Sequence, residues 1–257
     1  MLDQIEIVLS HTTHPGNIGA AARAMKVMGL SNLVLVNPKY YPSAEATDRA
    51  SKANDILETA KVYSSMRQAI SGSRLIVGTS ARARSLPSKL VTPRELVEII
   101  NRDLTRAPIS VLFGVENSGL TNEELHLCHY HVYIPTNPDY SSLNLASAVQ
   151  LIAYEMRLAF SEMASLPVTE PSRNERAISR QELEGVLQHF DQIMQETGYL
   201  QEDNKKQLDI RMNRLLNKAA LTLSETNILR GFLSSITQYG KRLNSKVLDK
   251  AEKQEGE

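Results

Sequence analysis

The stretch IEIVLSHTTHPGNIGAAARAMKVMGLSNLVLVN, residues 5–37, decides how the chain is read. IEIVLS (5–10) and NLVLVN (32–37) are short runs of β-branched and aliphatic residues, the composition of strands buried on both faces. Between them Pro15 and Gly16 mark a turn, Asn17 is a good helix N-cap, and an Ala-rich run follows to residue 29. At about 100° per residue, Ile18, Ala21, Ala22, Met25 and Met28 share an apolar stripe, with Gly19, Arg23 and Lys26 on the other side. A lone arginine there is either a solvated charge or one placed to act, with Gly19 letting a partner approach.

The alternation continues along the chain. RLIVGTS (74–80), ISVLFG (109–114) and HVYIP (131–135) read as further buried strands, and 44–58, 64–71, 92–103 and 121–128 as helices. This predicts an α/β fold, a parallel sheet flanked by helices, over residues 1–164. In such sheets ligands bind beyond the carboxyl ends of the strands, which directs attention to the loops leaving them. Residues 142–163 form a long helix with Leu143, Leu145, Val149, Leu151, Ile152, Met156, Leu158 and Phe160 spread nearly all round. A helix of that kind is covered on most sides, and a second subunit is expected to complete the cover.

SLPVTEPSRNERAIS (165–179) has two prolines, mixed charge and little periodicity, and reads as a linker. Three helices follow in a small all-helical domain, 180–245. Their apolar positions are Leu183, Val186, Leu187, Phe190, Ile193 and Met194; Leu208, Met212, Leu215 and Leu216; and Ile228, Leu229, Phe232, Ile236 and Tyr239, with Ser224 as the cap of the third. Residues 246–257 are a charged tail.

The 29 basic residues balance 29 acidic ones, so nucleic-acid binding would depend on local basic patches rather than a global field. A single cysteine, Cys128, excludes an internal disulfide and fits a reducing cytoplasm. With IEIVLS following so soon after Met1, no signal peptide is expected, and no uncharged apolar run is long enough to span a membrane. Neither a G-x-G-x-x-G after the first strand nor a P-loop is present, which argues against dinucleotide and NTPase chemistry. His126, Cys128, His129 and His131 are spaced too tightly for the usual zinc patterns, so no metal is expected and the segment reads as a helix-to-strand junction.

Three loops remain, each leaving a strand: VGTSARARSLP with Thr79 and Ser80, FGVENSGLTNEEL with Gly114, Glu116, Gly119 and Leu120, and IPTNPDYSSLNLASA with Ser141, Ser142 and Asn144. Together they make a pocket of backbone donors and acceptors suited to a small polar ligand with an aromatic ring. On the second small-domain helix, Arg211, Arg214 and Lys218 recur at i, i+3 and i+7, a basic stripe that is either solvated or RNA-binding.

In order, Asn17-x-Gly19-x-x-x-Arg23, Phe113-Gly114-Val115-Glu116-x-x-Gly119-Leu120 and Ser142-Leu143-Asn144 resemble the three motifs of the SPOUT (trefoil-knotted) methyltransferases. The group resembled is the TrmH-like RNA 2′-O-methyltransferases. Val115 departs from those relatives that carry a basic residue there. The resemblance implies a C-terminal trefoil knot in the α/β domain, a homodimer, and S-adenosylmethionine held against the three loops. It further implies a tRNA substrate, with 2′-O-methylation of cytidine or uridine at position 32 of the anticodon loop. Thr79, Ser80, Ala81, Gly114, Ile134, Ser141, Ser142 and Leu143 would contact the cofactor. Arg23 would orient the 2′-oxygen and its phosphate, with Asn17, Glu116, Ser142 and Asn144 completing the catalytic set. Arg82, Arg84, Arg211, Arg214 and Lys218 would meet RNA. The same motifs fit a methyltransferase of ribosomal RNA or of another tRNA position, or an RNA-binding module without catalysis. A flavodoxin-like nucleotide-binding enzyme would need a phosphate-cradling first loop, and HTTHPGN has one glycine.

Overall fold

The computed structural model describes residues 2–80, 89–102, 106–163, 172, 174–200 and 205–254, with 161–163 and 243–254 described through the backbone alone. The described residues divide into two compact units, 1–171 and 172–257.

The first unit is a seven-stranded sheet in the order β3-β2-β1-β6-β4-β7-β5. Its strands are β1 (Ile5–Ser10), β2 (Asn32–Val36), β3 (Lys61–Tyr63), β4 (Leu75–Thr79), β5 (Lys89–Val91), β6 (Ile109–Phe113) and β7 (Tyr130–Val132). Every pairing is parallel. All carboxyl ends therefore lie along one edge, where the loops collect. The five runs read as strands from sequence are strands here, the first with the same bounds and the other four with ends shifted by one to three residues. β3 and β5 are not expected from sequence. They are the short outermost strands, with exposed Lys61, Val62, Lys89 and Leu90, so they lack the continuous apolar character of buried strands.

Alternation along β1 divides the core. Ile5, Ile7 and Leu9 face one layer, α1 (Pro15–Met28), α5 (Pro93–Arg102) and α7 (Leu145–Met163), meeting Ile18, Met25, Ile100, Val149 and Met156. Val8 faces the other, joining Ile70 of the turn after α4 (Met66–Ala69), Leu125 of α6 (Asn122–His126), and Leu112, Leu120 and Cys128. The 44–58 helix is divided into α2 (Ala44–Ala50), a 3₁₀ turn at Ser51–Ala53 and α3 (Asn54–Glu58). The His/Cys cluster is the junction between α6 and β7. Cys128 is buried with Sγ against the Glu124 carbonyl, His129 Nδ1 accepts from the Ile76 amide at 3.1 Å, and His131 Nε2 lies 3.1 Å from the Leu125 carbonyl oxygen.

Two expectations for α1 are corrected. The helix opens at Pro15, whose missing N–H suits the first turn, so Asn17 lies inside the helix and its side chain is available to bond elsewhere. Gly19 is buried, not facing a substrate. A Cβ at Gly19 would lie 2.0 Å from the Ala46 carbonyl oxygen, so what approaches the glycine is the backbone of α2. For α7, the helix begins at Leu145, and within the single chain it is covered on one side only: Leu151, Tyr154 and Leu158 are exposed.

In the second unit, α8 (Arg180–Glu196), α9 (Lys205–Ala219) and α10 (Leu223–Gln254) pack around Ile178, Leu183, Val186 and Leu216. Residues 176–178, within the stretch read as linker, belong to this unit: the Ile178 amide donates to the Leu221 carbonyl, and the Leu223 amide to that of Arg176. Ser179 and Glu182 form a capping box on α8. The Arg176 guanidinium, burial opposing it, holds the Glu182 carboxyl at about 2. Thr222 rather than Ser224 caps α10, accepting from the Glu225 amide at 3.3 Å. Leu215, Ile228, Phe232 and Tyr239, read as core positions, are exposed, while Thr226 and Leu233 are the buried residues among the described side chains of α10. Among the described residues no helix is long and apolar enough to cross a membrane.

The α1–α2 contact gives a first prediction. Gly19→Val forces α2 off α1 and should lower stability by about 2 kcal/mol or more, read as a lower urea midpoint; an unchanged midpoint would contradict this packing.

Candidate functional site

The carboxyl ends of β4, β6 and β7 surround a pocket of about 580 Å³, within the range of about 300–1,000 Å³ usual for small-molecule sites. Each wall is one loop. Thr79 and Ser80 leave β4, fixed by Thr79 Oγ1 donating to the Leu112 carbonyl at 2.9 Å and by the Ser80 amide donating to that of Val132 at 3.0 Å. The β6 loop, Gly114 to Leu120, doubles back on itself, the Gly119 amide donating to the Val115 carbonyl at 2.7 Å. A Cβ on Gly114 would lie 2.0 Å from the Gly119 carbonyl carbon, so only glycine permits that return. The β7 loop adds Ile134, Thr136, Ser141, Ser142 and Leu143, and Leu145 and Ala148 of α7 close the end.

At the rim stands Glu116. Its carboxylate accepts from the Thr13 amide (3.2 and 3.3 Å), Thr13 Oγ1 (2.9 Å), the His14 amide (3.3 Å) and Asn17 Nδ2 (3.0 Å). Partial burial pushes its pKa up. The hydrogen bonds from Asn17, its own backbone amide and Thr13 outweigh that and hold it at about 2, against an ordinary 4.5. An ionised carboxylate only accepts, so Asn17 must turn its NH2 toward Glu116 and its oxygen away. That oxygen accepts from Asn144 Nδ2 at 3.2 Å, and Asn144 Oδ1 in turn accepts from the Ala146 amide at 2.9 Å, in the first turn of α7. One ordered chain of donors thus ties the β6 loop, the N-terminus of α1 and the N-terminus of α7.

All the described residues assigned to the cofactor from sequence, Thr79, Ser80, Gly114, Ile134, Ser141, Ser142 and Leu143, line this one pocket. Of the catalytic set, Glu116 and Ser142 line it, and Asn17 and Asn144 join it through the network. Arg23 is not brought in: it lies on the exposed side of α1 and makes no hydrogen bond or ion pair among the described residues. Arg211, Arg214 and Lys218 are exposed on α9. Ala81, Arg82 and Arg84 lie outside the described residues. Thr13 is a residue of the site that the sequence reading misses. Its signal is present, because HTTHPGN is the loop leaving β1 at the same sheet edge.

An open parallel sheet whose carboxyl-end loops enclose a polar-and-apolar pocket is the arrangement with which α/β proteins bind small ligands. Residues 4–154 match the model of the SpoU rRNA methylase family, and residues 181–247 that of the C-terminal domain of the tRNA methyltransferase TrmJ. The chain belongs to the SpoU methylase family. A tRNA (cytidine/uridine-2′-O-)-methyltransferase TrmJ of Pectobacterium atrosepticum is 46% identical over 237 residues, covering 92% of this chain and 98% of that protein. A tRNA (cytidine/uridine/adenosine-2′-O-)-methyltransferase TrmJ of Pseudomonas aeruginosa is 41% identical over 256 residues, covering 97% of this chain and all of that protein. The crystal structure of TrmJ from Z. mobilis ZM4 superimposes with a TM-score of 0.77 at 30% identity, covering 90% of this chain and 98% of that one.

Because the folded-state pKa of Glu116 lies below its free value, its stabilisation is complete above pH 4.5 and is lost as pH falls from there toward 2. Glu116→Gln should lower the urea midpoint at pH 7, since an amide offers its NH2 to backbone donors. The gap to wild type should close as the pH is lowered through that window, whereas a pH-independent gap would contradict the hydrogen-bonded carboxylate.

Proposed function

We propose that the chain transfers the methyl group of S-adenosylmethionine to the ribose 2′-hydroxyl of cytidine or uridine at position 32 of the tRNA anticodon loop, acting as a cytoplasmic homodimer. The observation that carries this reading is that the second and third motifs line one pocket, while Asn17 of the first is hydrogen-bonded to Glu116 and Asn144 at its rim. The relatives' substrates point to tRNA and to the 2′-oxygen, and the resemblance adds position 32 and the trefoil knot.

The pocket residues fit the cofactor in kind. Backbone groups of the doubled-back 114–119 loop suit a polar adenosyl group, and Leu120, Val132, Ile134, Leu143 and Leu145 supply apolar walls. When bound, S-adenosylmethionine supplies a methyl on a positively charged sulfur, already an electrophile. The protein is left to position the ribose and to help its hydroxyl lose a proton. Ser142, exposed at the pocket mouth, hydrogen-bonds the hydroxyl, and Asn144 is held toward it by Asn17. Arg23 orients the 2′-oxygen and the adjacent phosphate through its planar fork of donors. Arg82, Arg84 and the α9 stripe of Arg211, Arg214 and Lys218 bind RNA backbone. The homodimer rests on the exposed stripe of α7, Leu151, Tyr154 and Leu158, which a second copy would cover.

Methyl transfer from labelled S-adenosylmethionine to unmodified tRNA, with the product mapped by nuclease digestion, tests the reaction. Arg23→Ala should reduce the rate about a hundredfold or more, with cofactor affinity within about twofold of wild type because Arg23 does not line the pocket. Label on ribosomal RNA instead would reassign the substrate, and failure to bind the cofactor would overturn the reading. In sedimentation velocity the wild type should run as a dimer and Leu151→Asp/Leu158→Asp as a monomer; a wild-type monomer would contradict the dimer.

A further inference from the structure

Along the same sheet edge, beside the pocket, the loops leaving β1 and β2 enclose a second depression of about 730 Å³. Thr13, His14 and Pro15 form one side, Lys39, Tyr40, Pro42 and Ser43 the other, with Glu45 of α2 at the end. The two cavities share a wall. Thr13 lines this groove and hydrogen-bonds Glu116, which lines the pocket. Strand order makes this contiguity necessary: the groove belongs to β2 and β1, the pocket to β6, β4 and β7, and β1 pairs with β6.

The lining pairs an aromatic ring with a cation. Tyr40 is 55% exposed, and the Lys39 ammonium stands 5.2 Å from its ring centroid. The loop is held in place by the Lys39 amide donating to the Thr12 carbonyl and the Asn37 amide donating to that of Tyr63, both at 3.0 Å. An aromatic face beside a cation, on a fixed loop, is the combination by which proteins hold single-stranded nucleic acid: bases stack and phosphates pair. Resting on the RNA-methylating function argued above, we propose that Lys39 and Tyr40 form a subsite for the nucleotide next to the methylated one. The base of that nucleotide stacks on Tyr40 and its phosphate meets the Lys39 ammonium. Glu45 repels phosphate and so directs the backbone to the Lys39 end of the groove. With the target ribose at the pocket mouth, the strand crosses the Thr13–Glu116 seam to reach it.

Neither residue lines the cofactor pocket and both are exposed, so variants can be compared in a folded enzyme, checked by circular dichroism and by S-adenosylmethionine affinity equal to wild type. With unmodified tRNA transcript, Tyr40→Ala should lower kcat/KM about tenfold or more, mainly through KM, and Tyr40→Phe should restore it to within about twofold because a phenyl ring still stacks. Lys39→Ala should weaken tRNA binding and flatten the slope of log affinity against log salt by about 0.7, the contribution of one single-strand phosphate. If wild type methylates tRNA and Tyr40→Ala and Lys39→Ala match it in KM and salt slope, the subsite is overturned while the function stands. If Tyr40→Phe is as impaired as Tyr40→Ala, stacking is overturned. A wild type that neither binds nor methylates tRNA would overturn the function and this subsite together.

Discussion

The first unit depends on one charge at the edge of its core. Glu116 leaves β6 and meets the chain that has just left β1, where donors from Thr13, His14 and Asn17 satisfy a partly buried carboxylate that would otherwise be costly to desolvate. Backbone amides at the N-terminus of α1 carry partial positive charge, so an anion there is favoured by both hydrogen bonding and the helix dipole. The charge also fixes direction. Because it can only accept, the Asn17 amide is oriented, and through it the Asn144 amide, and through that the first turn of α7. Two helices that pack against each other and one glycine-returned loop are thereby set by a single group.

The consequence for function is positional. Attack on a sulfonium methyl needs little from the protein except alignment and a way to release a proton. In the reaction proposed above, a network that ties the loop walling the pocket to the helix carrying Arg23 would serve alignment better than a strongly perturbed acid or base. Glu116 fits the role of a fixed anchor: held at about 2, it stays ionised near neutral pH and exchanges no proton there.

The main strands, the helical layers and most of the pocket are legible in the sequence because each rests on a local signal. β1, β2, β4 and β6 are apolar runs, and the three loops are rich in Gly, Ser and Asn. Asn17 misleads for a related reason: Asn after Pro-Gly is the residue type of an N-cap, and only the distant Glu116 reveals that its amide is engaged across the sheet. Gly19 likewise needs knowledge of where α2 passes. β3 and β5 carry no apolar run because edge strands bury little. Thr13, an ordinary polar residue in sequence, gains its role only when β1 and β6 are paired. Long-range pairing, rather than composition, separates the legible features from the hidden ones.

The most direct measurement of this account is a double-mutant cycle between Glu116→Gln and Asn17→Ala, followed through kcat/KM for methyl transfer to tRNA. If the carboxylate acts by orienting the asparagine, the double variant will be little worse than the poorer single one. Losses that add to within about 0.5 kcal/mol would mean that the two residues act independently, and would contradict the network on which this reading of the site is built.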